Sequence, residues 1–191
     1  PLDMRMNPNT GISAADVLAT YEEQALYDLF RKHTDLKSLR PLVNAILMSR
    51  ATAPLTTTTE LRELVEPLAP RGQWHKYLAQ VFQGLRMEVN QELEVLEEML
   101  YGATDVLKPG GRLVIMSYHS LEDRMVKNFI REGKAEGQTE SDFYGVKHVP
   151  YKAITRKPIV ATAEENARNP RATSAKLRIA ERLDLTWSKD V

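Results

Sequence analysis

The run Lys108-Pro109-Gly110-Gly111 divides this chain into two patterns that cannot belong to one kind of fold. Upstream, Leu78, Val81, Phe82, Leu85, Val89, Leu93, Leu96, Leu100, Ala103 and Leu107 recur three and four residues apart, the stripe of an amphipathic helix, interrupted once near Asn90. Core packing accounts for that apolar face. The proline and two glycines stop the helix and turn the chain tightly. Directly after them, Arg112-Leu113-Val114-Ile115-Met116-Ser117 is a short apolar run bounded by turn residues, suited to a buried strand. The order is therefore a helical region followed by an α/β piece.

Before residue 78 the reading is helical throughout. Ser13 with Asp16 caps a short helix through Thr20, and Thr20 with Glu23 repeats that spacing ahead of a helix carrying Leu26, Leu29 and Phe30. A third helix fits 38–51, with Pro41 in its first turn and Leu42, Val43, Ile46 and Leu47 inward. The threonines at 56–59 precede Glu60-Leu61-Arg62-Glu63 and read as a helix N-terminus. Beyond the strand, Ser120-Leu121-Glu122-Asp123 reads as an N-cap with acids in the first turn of a helix reaching about Glu132 and burying Leu121, Met125, Phe129 and Ile130. Gly133 to Gly145 is a polar connection, 158–161 a second short strand, 175–183 a third, and 184–191 a tail.

At 191 residues the chain can bury a substantial core. It contains no cysteine, which excludes disulfides, a thiolate nucleophile and thiolate-held metals. His33, His75, His119 and His148 are not spaced as ligands for one another, so no metal is expected. No run approaches the roughly 18 apolar residues of a membrane span, and no signal peptide is visible, so a cytoplasmic location and no membrane partner are expected. The chain opens Pro1-Leu2-Asp3 without Met and is expected to be part of something longer.

The formal net charge is zero, but its distribution is uneven. Lys147, Lys152, Arg156, Lys157, Arg168, Arg171, Lys176, Arg178 and Arg182 face only Glu164, Glu165 and Glu181 in the C-terminal third. Such a surface suits phosphate contacts, or equally a solvated basic face balanced by the acids between Glu88 and Asp105.

A helix, then LKPGGRLVIMS, then a second helix resembles the fifth strand of class I S-adenosylmethionine-dependent methyltransferases. Four longer words narrow this: PLDMRMN at 1–7, FQGLRMEVNQEL at 82–93, SYHSLEDRMVK at 117–127 and NPRATSAKLRIAER at 169–182. Together they resemble the bacterial 16S rRNA (cytosine-N4)-methyltransferase family of the MraW type, across nearly all of residues 1–183. The resemblance implies an α/β fold: part of a class I, Rossmann-like methyltransferase sheet, strands five to seven, with an all-helical inserted domain. Residues 1–10 would link from the preceding core, 11–95 would be the insertion with a role in RNA recognition, and 96–183 the C-terminal half of the methyltransferase domain. Strand seven would lie antiparallel between five and six.

The same resemblance implies methyl transfer from S-adenosylmethionine to cytosine N4 in 16S rRNA or the small ribosomal subunit. The glycine-rich loop, acid and strand-four motif that hold the donor would lie upstream of Pro1. The cofactor-binding residues are thus expected outside this chain, and the chain alone is expected to be inactive. In an open α/β sheet the site lies beyond the carboxyl ends of the strands. That points to Tyr118, His119 and Ser120 as catalytic candidates, Tyr118 to stack on a base and His119 to make one hydrogen bond. Asn169 and Arg171 fall on the same rim. Arg171, Lys176 and Arg178 are candidate phosphate contacts, or ordinary strand charges. Arg124 either meets RNA or pairs with the helix-capping acids. Asp3 and Arg5 are candidates for the border of the substrate pocket. Arg86, Asn90 and Glu92 form either a polar hinge or part of an RNA surface, the hinge being favoured.

Two other readings compete. A helical RNA- or protein-binding module without catalysis would bind with no donor affinity; a class I enzyme acting on small molecules or proteins would need to share only the PGG strand. The apolar strand 112–117 would expose its edge and is expected to pair with a second copy as a dimer or swapped oligomer.

Overall fold

The computed structural model describes residues 1–137 and 149–184. Part of the expected Gly133–Gly145 connection, with Lys147, His148 and residues 185–191, lies outside the described residues. The chain divides into two compact units, Pro1–Glu92 and Leu93–Val191.

In the first unit, Ser13 caps α1 (Ala14–Thr20) as its spacing to Asp16 requires: each side chain bonds the other residue's amide, a reciprocal capping box. The expected second box fails. Tyr21 N–H closes α1 on Val17 at 3.0 Å, so Thr20 is still helical and donates its hydroxyl to Asp16 at 2.7 Å. Glu22 takes the cap position of α2 (Glu23–His33) without a side-chain bond. α3 (Arg40–Thr52) carries Pro41 in its first turn and buries Leu42, Val43 and Ile46, leaving Leu47 only half-buried. Thr57 and Glu60 form the second true capping box, at the start of α4 (Thr58–Val65). A 3-10 turn at Glu66–Leu68 leads to α5 (Trp74–Asn90).

Phe30, Leu26, Ile46, Leu61, Val81 and Leu85 are at the centre of this unit's core. Gly84 lets α5 approach α2, because a Cβ there would stand 2.9 Å from Thr34 Cγ2 and 3.3 Å from the Phe30 ring. Residues 1–10, expected as a link, belong to this unit. Leu2 is fully buried, donates to Thr56 at 2.8 Å and accepts from Ala15 at 2.9 Å.

The helical stripe does break at Asn90. Gln91 adopts a left-handed conformation, φ 50°, before α6 (Glu92–Val106) begins. Arg86 spans the break with a two-bonded fork to Glu92 at 2.7 and 3.0 Å. Asn90 donates to Met4 and Arg86 carbonyls at 2.8 and 2.7 Å and accepts from Met6 N–H at 2.7 Å. These polar residues satisfy one another at the break.

The second unit is α/β. β1 (Arg112–Ser117) pairs antiparallel with β4 (Lys176–Arg182), from Arg112 opposite Glu181 to Ser117 opposite Lys176. On its other side β4 pairs antiparallel with β2 (Tyr151–Ala153) and with β3 (Ile159–Val160). β4 is thus the centre of the sheet and β1 its edge among the described residues. β2 and the short helix α8 (Ala163–Arg168) were not foreseen; a 3-10 turn at Pro170–Ser174 connects α8 to β4.

α7 (Ser120–Glu132) covers one face of the sheet. Leu113, Val126, Phe129, Ile130, Tyr151, Ala180 and α6's Leu100 make the core there. Leu121 and Met125, expected inside, are only partly buried; Val126 takes the central place. The other face is bare. Strand alternation puts Val114 and Met116 outward, and both are about half exposed, at 55% and 52%. Their β4 partners there are Ile179 and Leu177.

Candidate functional site

The site expected at the end of β1 is built by the start of α7. His119, not Ser120, occupies the N-cap: it is extended, φ −137° and ψ 166°, and its Nδ1 accepts from the Glu122 amide at 3.4 Å. Glu122 Oε2 reciprocates, accepting from the amides of Tyr118 at 2.9 Å and His119 at 3.4 Å. This clasp fixes the backbone where the strand ends. Ser120 is displaced to the first helical position, on the surface. Burial pushes the Glu122 carboxyl upward, but bonds from His119 and the Tyr118 amide outweigh it and hold the group below the usual range. The carboxylate therefore stays charged.

The clasp leaves the Tyr118 side chain to project outward, 57% exposed. It stands on the rim of a cleft of about 680 Å³. Asn169 and Arg171 line the same cleft, so the structure brings together three of the expected residues. Its apolar floor, Met116, Leu177, Ile159 and Val160, was not foreseen as part of a site, nor was Glu165 on its wall. The signal was present: β1 and β4 carry apolar residues at both parities of the strand, which a sheet with one wet face does not need. His119 Nε2 is buried and has no hydrogen bond; Glu122 Oε1 lies 3.1 Å away but out of line.

Arg178 is corrected outright. Only 7% exposed, it gives Asp123 two bonds, at 2.7 and 3.1 Å, and so does not face a phosphate. Lys176 also leans on Asp123, Nζ to Oδ2 at 3.5 Å, although its side chain is partly exposed. Burial raises the Asp123 carboxyl, yet Arg178 and Lys176 together hold it below its ordinary value. Arg182 donates to the carbonyls of Thr104, Pro150 and Leu183. Arg168 pairs with Glu165. Arg168, Lys176, Arg178 and Arg182 are thus engaged with partners, while Lys152, Arg156, Lys157 and Arg171 are exposed, Arg171 at the cleft. Arg124 is exposed on α7, and among the described residues it does not pair with the capping acids.

Asp3 and Arg5 lie in the helical unit and pair with each other, Nε to Oδ1 at 2.7 Å and Nη2 to Oδ2 at 2.9 Å. The Arg5 hydrogen bonds lower the Asp3 carboxyl to about 2. Met4 between them is left-handed, φ 66°. Asn90 holds its carbonyl.

Among the described residues no glycine lies between a strand end and a helix start; β1 passes into α7 through Tyr118-His119 and β3 into α8 through Ala161-Thr162. No helix among the described residues is long and apolar enough to cross a membrane.

Residues 1–183 match the MraW methylase family. A protein of Phocaeicola vulgatus named ribosomal RNA small subunit methyltransferase H is 52% identical over 181 residues, 95% of this chain and 60% of its own length. Proteins of the same name are 51% identical in Bacteroides fragilis, over 95% of this chain and 60% of theirs, and 47% in Cytophaga hutchinsonii, over 95% and 61%. The chain thus spans about three fifths of the relatives it matches.

Proposed function

Because this chain belongs to the MraW methylase family, we propose that it forms part of an S-adenosylmethionine-dependent enzyme that methylates cytosine N4 in 16S rRNA. The relatives' shared name supports an rRNA of the small subunit as substrate. The donor supplies an activated methyl group. We assign its seat to the part of the relatives that this chain does not match, and the chain alone to inactivity. β1, β3 and β4 correspond in this reading to strands five, six and seven, and the helical unit to the insertion that helps select the RNA.

The observation that carries the reading is the convergence of Tyr118, Asn169 and Arg171 on one cleft at the carboxyl end of β1. N4 of cytosine is a weak nucleophile, so the protein's contribution is orientation. Tyr118 supplies a stacking face for an unstacked base. Arg171 supplies a cation for the adjoining phosphate. His119, whose Nδ1 accepts from the Glu122 amide, holds the end of β1 in place beside Tyr118.

The test uses the full-length Phocaeicola vulgatus relative with isotopically labelled donor and small ribosomal subunits. Label recovered as N4-methylcytidine, lost on alanine substitution at the position aligned with Tyr118, supports the reading. Label on another atom overturns it. Calorimetry of S-adenosylmethionine with this chain is expected to show no heat, and with the full-length relative saturable binding; binding by this chain reassigns the donor seat. A non-catalytic module would bind RNA with no donor affinity in either protein.

A further inference from the structure

From Pro67 to Met87 the chain carries no acidic residue. Arg71, Lys76 and Arg86 fall inside that run, and Arg86 is taken by Glu92. Arg71 and Lys76 are exposed and bond no other described residue. Between them stand Trp74 and His75, the first two residues of α5. Their rings stack, with centroids 3.7 Å apart and planes 33° from parallel. Neighbouring positions on a helix do not face each other, so the stack forms because both side chains turn to one side. Core packing does not account for it. Tyr77 is buried, and Leu78 and Phe82 pack against the core of the helical unit, but Trp74 has no place in that core and is only half-buried. His75 is exposed, and the indole N–H has no partner among the described residues.

The two rings stand on a fixed base. Gly72, at φ 75°, turns the chain so that Gln73 N–H reaches the Pro70 carbonyl at 2.9 Å, and Tyr77 N–H closes the first turn of α5 on Gln73 at 2.9 Å. An ordered aromatic pair flanked by cations suits a single-stranded nucleic acid: every base has a face to stack, and the phosphates on either side of it need positive charge. An acidic polypeptide would use the cations and leave the rings without a role. We infer that Trp74 and His75 form a stacking platform for an unpaired base of RNA, with Arg71 and Lys76 holding the adjoining phosphates. The choice of RNA rests on the methylation reading. The platform gives the helical unit a direct grip on an unstacked segment of its substrate.

The chain's other tryptophan is Trp187, so Trp187→Phe leaves Trp74 as the sole indole emitter. Titrated with a short single-stranded fragment of 16S rRNA, this protein should lose indole fluorescence saturably, whereas the same strand in a duplex should leave it unchanged. His75→Ala should weaken binding at least about fivefold, and His75→Phe should keep it, since a ring is what the base needs. Arg71→Ala and Lys76→Ala should each lower the slope of log affinity against log salt by about 0.7, the single-strand value for one phosphate. Binding that quenches nothing, or that these substitutions leave unchanged, overturns the platform and leaves the methylation reading standing. Equal quenching by the duplex or by polyglutamate overturns it as well, for it would mark a contact made by charge alone. No binding of RNA by this chain has the same consequence. Failure of the full-length relative to form N4-methylcytidine removes the methylation reading instead, whatever Trp74 reports.

Discussion

Arg178 on β4 meets Asp123 on α7 in a planar fork, Nε to Oδ1 at 2.7 Å and Nη2 to Oδ2 at 3.1 Å, with both side chains nearly sealed from water. The fork fastens the helix to the central strand at the end of the sheet nearest the cleft. Arg178 without Asp123 would be a buried, unpaired charge, and Asp123 without Arg178 would keep only the longer contact to Lys176.

Asp123→Ala or Arg178→Ala alone is therefore expected to cost about 3–5 kcal/mol. The double substitution should cost less than the sum, since it removes both charges. Urea denaturation of the four proteins in a double-mutant cycle measures this; additive losses would show that the two residues do not act as a pair.

Asp3 gives a pH signature in the helical unit. Its carboxyl is lowered from 3.8 to about 2 by the Arg5 hydrogen bonds. A group depressed on folding contributes stability that is complete above the unfolded value and fades as pH falls through the folded one. The contribution should thus be present above about pH 4 and vanish toward about pH 2. Carboxyl NMR titration follows Asp3 directly, and Arg5→Gln should return it toward 3.8. An Asp3 titration unmoved by that change would remove Arg5 as the cause.

Gly84→Ala sets two effects against each other. Alanine favours helix over glycine by up to about 1 kcal/mol, while overpacking costs about 1–3 kcal/mol. The intruding contacts are Thr34 Cγ2 and the Phe30 ring, both buried. Overpacking should win, with a net loss of about 1 kcal/mol. In a Thr34→Ala background, where the closer contact is gone, the loss should shrink or reverse, as thermal melts would reveal.

Gln91→Gly should stabilise by up to about 1 kcal/mol, because Gln91 is an exposed residue in the left-handed region. A glycine at this position would end α5 without altering the Arg86–Glu92 fork. A fall in the denaturation midpoint would mean that the Gln91 side chain contributes more than its backbone costs.

For RNA, Arg171 and Arg178 should separate cleanly. Arg171→Ala is expected to lower the slope of log affinity against log salt by about one for 16S rRNA fragments. Arg178→Lys should change stability and leave that slope alone. Filter binding across a salt series distinguishes them.

Legibility followed locality. β1 lay within the residues expected of it because a Pro-Gly-Gly stop and a helix cap bracket it in the sequence. The first and fourth helices were announced by capping boxes, each a pair of residues three apart. β2 had no such announcement: Tyr151-Lys152-Ala153 is a strand because the end of β4 offers it an edge. α8 did carry a signal, Thr162 accepting from the Glu165 amide at 3.1 Å, but the segment is too short to show periodicity. At the cleft, Tyr118, Asn169 and Arg171 could be placed on one rim from strand order. Arg178 could not be withdrawn from the phosphate candidates without its partner, which stands 55 positions away. The alternation of charge in 176–182 looks the same whether the charges meet water or a buried carboxylate.

Every ladder in this sheet runs through β4, the last of the four described strands to leave the ribosome. Until Lys176 to Arg182 emerge, β1, β2 and β3 lack the one neighbour that each of them bonds among the described residues. The helical unit closes over contacts available far earlier in translation. The nascent chain therefore carries a finished helical body while β1, apolar on both sides, waits through some sixty residues of elongation for its partner. That interval is when a chaperone has most to protect, and a stop codon before residue 176 would remove the strand that every described ladder uses.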